Sequence, residues 1–143
     1  MPSRIAIVHH PDRRTDVVMP YAPAIVVRRG QLLFLSGLTA APVYHSHPHR
    51  DEEFDLPASM REQARLTMEN LTKTLEAAGC RMADLVSATR YLTDVNEQDD
   101  LNRVWATYLG SHLPTTTTVE VTRLATHPRC KIEISAIAVT EAP

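Results

Sequence analysis

The sequence has 143 residues, 43% hydrophobic and 22% charged, a balance that suits one globular domain, 1–143, with enough chain to bury a core. Its formal net charge of -2 disfavours electrostatic capture of nucleic acid, which draws on a basic patch. Two cysteines, Cys80 and Cys130, neither in a C-x-x-C pair, exclude a disulfide framework and a structural zinc site of the usual spacing.

In chain order, RIAIVH (4–9) predicts a first strand and DRRTD a polar turn. After the Pro20–Pro23 stretch, apolar runs at 24–27 and 32–35 flank Arg28-Arg29-Gly30-Gln31 and read as a hairpin, with Gly30 supplying the turn. Residues 39–57 carry Pro42, Pro48 and Pro57 and read as a loop. Ser59 and Glu62 match an S-x-x-E capping box, which satisfies backbone N–H groups at the start of a helix. Met60, Ala64, Met68, Leu71, Leu75 and Ala78 then fall on one face, and Gly79 ends the helix. DLVSATRYLTD (84–94) reads as a strand. A second helix starts near Asn96, buries Leu101, Val104, Trp105 and Tyr108, and stops at Gly110. Strands TTTTVEVTRL (115–124) and CKIEISAIAVT (130–140) close the chain.

The order β-β-β-α-β-α-β-β predicts an α+β sandwich: a six-stranded mixed sheet with two helices on one face. The other face would be uncovered in a monomer, so a homo-oligomer is expected. The cysteines read as buried thiols in a reducing compartment. The N-terminus has no apolar run of signal-peptide length, and no later segment could span a bilayer, so the expected location is cytoplasmic, with no membrane partner.

Candidate chemistry is sparse. In HSHPHR (45–50), His45, His47 and His49 at alternate positions could bind a transition metal. No carboxylate or cysteine with partner spacing stands near and the loop lacks an evident scaffold, so no metal site is expected. His9, His10, His112 and His127 read as element ends. No G-x-S-x-G elbow, phosphate loop or dinucleotide fingerprint is present, and four glycines could hardly build the latter two. Alternation puts Thr116, Thr118 and Glu120 on one face of their strand, and Lys131, Glu133 and Ser135 on one face of the last. Glu133, between isoleucines, is either paired for stability or held for acid–base work. Arg90 shares a strand face with Val86, Ala88 and Leu92, where an apolar residue is expected.

Four stretches carry a resemblance: PYAPAIVVRRGQLLFLSG (20–37), MENLTKTLEAAGC (68–80), DLVSATRYLTDVNEQDDLNRVW (84–105) and PTTTTVEVTRLATHPRCKIEISAIAV (114–139). On these the chain resembles the RidA/YjgF family of reactive-intermediate deaminases, also described as endoribonucleases. The resemblance implies a chorismate-mutase-like protomer and a homotrimer whose sheets form a central barrel, with small-molecule clefts between subunits and no cofactor. It further implies hydrolysis of an imine or enamine to a keto acid and ammonia. An arginine would clamp the substrate carboxylate and a glutamate would handle water. Carried over by position, Tyr21, Gly37 and Asn102 line the cleft and Glu133 is the catalytic glutamate. Thr118 stands where cysteine is common, and Thr116 where the clamp arginine belongs.

Losing that arginine removes charge-assisted bonds of about 1.5–3 kcal/mol each. The expected function is therefore imine or enamine hydrolysis with an altered substrate range, Thr116 and Thr118 bonding a neutral group. The alternative is a trimeric metabolite-binding protein without catalysis, and the net charge disfavours the endoribonuclease reading. Arg90 is a candidate replacement clamp, or else an arginine ion-paired with a strand or interface neighbour. Arg123 reads as structural.

Overall fold

A computed structural model describes residues 3–141; the ends of the expected 1–143 domain lie outside the described residues. Six strands and two helices form as the alternation of sequence patterns predicts: β1 (Ile5–Val8), β2 (Ala24–Val27), β3 (Leu32–Leu38), α1 (Met60–Ala77), β4 (Leu85–Leu92), α2 (Gln98–Leu109), β5 (Thr115–Glu120) and β6 (Ile132–Val139). They do not make one six-stranded sheet. Strands β3-β6-β4-β5 form a mixed four-stranded sheet, parallel only between β4 and β5, while β1 and β2 form a separate antiparallel ladder.

The predicted pairing of β2 with β3 is therefore corrected. Gly30 does turn the chain, at φ 100°, where a side chain would run into the carbonyl of Thr140. Beyond the turn, Gln31 bonds Thr140 rather than returning along β2. Leu33 and Leu35 pair with the small Ala138 and Ala136 of β6, which leave room for them. The free edge of β2 is taken by β1, with Arg28 N–H donating to Arg4 O at 2.7 Å.

Helix α1 starts where Ser59 Oγ accepts the Glu62 N–H at 3.3 Å. The reciprocal half of the capping box is missing, because the Glu62 carboxylate holds Arg65 instead. Met60, Ala64, Met68, Leu71 and Leu75 are all buried; Ala78, expected on the same face, is the exposed cap residue beyond the helix. The end is a Schellman turn: Gly79 has φ 74°, its N–H reaches Glu76 O, and Cys80 N–H reaches Leu75 O. Helix α2 buries Leu101, Trp105 and Leu109, leaves Val104 and Tyr108 half-buried, and ends before Gly110 at φ 59°.

Both helices cover one face of the four-stranded sheet, on Ala88, Leu92, Ile132, Ile134, Ala136 and Ala138. The opposite face stays open, with Phe34 69% and Leu32 53% exposed on β3 and Val119 exposed on β5 at the far edge. Cys80 and Cys130 are buried and unbridged. The last two strands are shorter than expected; β6 starts late because the amides before it find partners off the ladder, Lys131 N–H on Gln63 Oε1 and Cys130 N–H on His127 O. Among the described residues, no helix is long and apolar enough to cross a membrane.

Candidate functional site

Strand register decides which candidate residues can meet. Arg90 pairs with Thr118 on one side and Ile134 on the other, and Ala88 pairs with Thr116. Cross-strand partners share a face, so Arg90, Thr116 and Thr118 point toward the helices. Tyr91 pairs with both Glu133 and Val119, so Glu133 lies on the open face. The sheet itself separates the two groups within one chain.

On the helix side, Tyr21, Arg90, Asn102, Thr116 and Thr118 line a cleft of about 340 Å³, together with Trp105 and His112. Arg90 forms its floor and is only 6% exposed. Its Nε and Nη2 donate to Thr118 Oγ1 at 3.0 and 2.8 Å, and its Cζ lies 5.2 Å from the Trp105 ring centroid. No carboxylate of its own chain pairs with it among the described residues, so the strand-neighbour ion pair is not formed. Burial pushes its pKa down to about 10, which still leaves it charged at neutral pH.

The run of threonines divides its hydroxyls. Thr115 donates to Val86 O and Thr116 to Pro114 O, Thr118 accepts from Arg90, and Thr117 is exposed on the other face. Thr116 is thus turned toward backbone, while Thr118 keeps its own proton for a further acceptor. His112 lines the same cleft with Nε2–H donating to Leu85 O at 2.6 Å. The sequence reading missed Trp105 and His112 as cleft residues. An aromatic residue at helical spacing reads as core until a cation is seen stacked on it.

On the open face, Gly37 and Glu133 belong together. A Cβ on Gly37 would stand 2.5 Å from Glu133 Oε2, inside contact distance, so glycine makes room for that carboxylate. Glu133 is half-buried and has no hydrogen-bond or ion-pair partner among the described residues. Just before β6, burial pushes the Cys130 thiol up, so it stays protonated and inert at neutral pH. A larger concavity of about 640 Å³ beside β1 shares Tyr21 and Leu113 with the Arg90 cleft but holds none of the other candidate residues.

The 39–57 segment has more scaffold than its sequence suggests. Asn70 Nδ2 donates to the carbonyls of Thr39 and Ala41, and Glu53 accepts both the N–H and the hydroxyl of Ser46. Phe54 is fully buried and stacks on His127 at 4.6 Å. Above it, the ligand nitrogens of His45, His47 and His49 all lie within 4.8 Å of one another.

A family model described as Endoribonuclease L-PSP matches residues 12–140. The chain belongs to this family, the RidA/YjgF family. Among its relatives, a RutC family protein of Pyrococcus horikoshii is 36% identical over 122 residues, 85% of this chain and 88% of that one. The 2-iminobutanoate/2-iminopropanoate deaminase of Rattus norvegicus is 36% identical over 84 residues, 59% of this chain and 60% of that one. The crystal structure of Escherichia coli TdcF with bound serine superposes at a TM-score of 0.64 with 30% identity, covering 87% of this chain and 91% of TdcF. In this chain the cleft carries the arginine of β4, buried beside a β5 threonine.

Proposed function

We propose that this protein is a Rid-type hydrolase of imine or enamine acids. Arg90 takes the place of the missing clamp, and the reacting centre is completed between neighbouring subunits of a homotrimer. The observation that carries this reading is a buried guanidinium with no counter-anion among the described residues. Burying an unpaired cation is costly, and an anionic ligand relieves the cost. The relatives support the same chemistry: one is named for 2-imino acids, and another was crystallised with the amino acid serine.

Moving the charge from the Thr116 position to Arg90 shifts it by one strand, about 4.8 Å, and by two residues, about 6.6 Å, along the sheet. The substrate range changes with it. The carboxylate would be gripped from β4 beneath Trp105, with Thr118 O–H donating a further bond, while Tyr21 and Asn102 shape the wall. Glu133 and Gly37 of a neighbouring subunit would close the cleft, since Glu133 cannot reach through its own sheet. There Glu133 takes a proton from water as the oxygen bonds to the C=N carbon, then passes it to nitrogen, giving a carbinolamine. Glu133 next takes the carbinolamine hydroxyl proton and delivers it to the amine as the C–N bond breaks, which releases ammonia and leaves the keto acid. No step calls for a cofactor.

Hydrolysis of 2-iminobutanoate, generated in situ, tests this. Glu133→Gln should lower kcat by at least about 100-fold, on the scale of general acid–base catalysis, with KM little changed. Arg90→Met should raise KM by roughly ten- to more than a hundred-fold, the worth of a charge-assisted bond. Turnover untouched by Glu133→Gln would sink the catalytic role. The separation of Glu133 from the cleft within one chain favours one other reading, a metabolite-binding protein without turnover. Binding that survives Glu133→Gln, in a protein that never hydrolyses the imine, would be its mark.

A further inference from the structure

We propose that His45, His47 and His49 form a three-histidine site for a divalent transition ion of the zinc class. The loop that carries them follows β3 and lies outside the cleft described above. Their ring centroids are 4.9 to 5.0 Å apart in every pairing, and their ligand nitrogens all fall within 4.8 Å of one another. Around a tetrahedral ion with bonds of about 2.1 Å, nitrogens stand about 3.4 Å apart. Small side-chain rotations close that gap, and His47 and His49 are exposed and able to make them.

Three features prepare the loop for an ion. His45 Nδ1 lies 2.8 Å from the carbonyl of Pro42, and a carbonyl only accepts. The proton therefore sits on Nδ1 and the lone pair on Nε2, the arrangement that second-sphere carbonyls impose on metal-bound imidazoles. The buried Phe54 ring underlies both His45 and His49 at 5.1 Å, which fixes the depth of the cluster. Glu53 clamps Ser46 through two hydrogen bonds, at 2.9 and 3.1 Å. Arg50, the cation next to His49 in sequence, is occupied by Glu52 through its Nε and Nη2, which offsets its charge. Imidazole nitrogens suit zinc, nickel, copper and cobalt, and three of them leave one coordination position for water or a small ligand on the solvent side.

The test is calorimetric titration of the chelator-treated, full-length protein with Zn²⁺, and with Co²⁺ followed by its visible absorption. One equivalent per chain should bind with micromolar or tighter affinity, and cobalt should give the intense bands of a tetrahedral site. His47→Ala/His49→Ala should weaken binding at least a hundredfold, while His9→Ala/His10→Ala should leave it unchanged. Both variant residues of the first pair are exposed, and an unchanged melting temperature would show that the fold is kept. Absence of saturable binding overturns the proposal. So does a stoichiometry that survives His47→Ala/His49→Ala, or a cobalt spectrum showing only octahedral, water-like coordination.

Discussion

At the residue scale the molecule turns on Arg90. A buried arginine kept for stability has a carboxylate partner, and removing it costs about 3–5 kcal/mol. This one has a hydroxyl and an indole ring instead. Arg90→Met, which fills the same space, should leave the melting temperature unchanged or raise it; a large drop would assign the residue to the scaffold. Gly37 makes the complementary case. A methyl group there meets the Glu133 carboxylate, so Gly37→Ala should lower turnover about as far as Glu133→Gln does, yet cost little stability because the carboxylate can swing outward. Steady-state kinetics beside a thermal melt separate the two effects. Arg90 was visible in the sequence as a cation among apolar positions, but its partners were not. Trp105 and Thr118 come from elements 15 and 28 positions away and meet it only in the folded sheet.

At the element scale, local chemistry was readable and long-range pairing was not. The Ser59 cap, the apolar face of α1 and the Gly79 stop follow from spacing alone. The partner of β3 does not, because its choice between β2 and β6 depends on which residues opposite leave room for Leu33 and Leu35. The histidine loop follows the same rule: its spacing was plain, while its supports, Phe54, Glu53 and Asn70, act through tertiary contacts. One contact between helices offers a pH signature. Tyr108 of α2 donates to Glu69 of α1, and burial, with that carboxylate's hydrogen bond and charge, pushes Tyr108 up to about 12. A raised pKa gives stability that is complete below the unfolded value near 10 and is lost as pH rises through the folded value. One of the four tyrosines should therefore titrate late, near pH 12, in an ultraviolet absorbance titration, and Tyr108→Phe should remove that step. A titration with no step near pH 12 that depends on Tyr108 would contradict it.

At the scale of the whole molecule, the uncovered sheet face and the divided site lead to the same expectation. Phe34 and Leu32 lie exposed on the face that also carries Glu133. Association through this face would bury apolar surface and could bring one chain's Glu133 to another chain's Arg90 cleft. Phe34→Glu should convert the protein to monomers in sedimentation analysis and abolish hydrolysis together with assembly. An active monomer would refute a shared site.

Selection of a carboxylate by Arg90 is tested by comparing two ligands that differ in that charge alone. Calorimetry with 2-oxobutanoate and its neutral amide, on wild type and on Arg90→Met, isolates the interaction. Wild type should bind the acid roughly ten- to a hundred-fold more tightly than the amide, and Arg90→Met should lose that preference. A wild type indifferent to the charge, or a preference that survives Arg90→Met, would contradict the assignment.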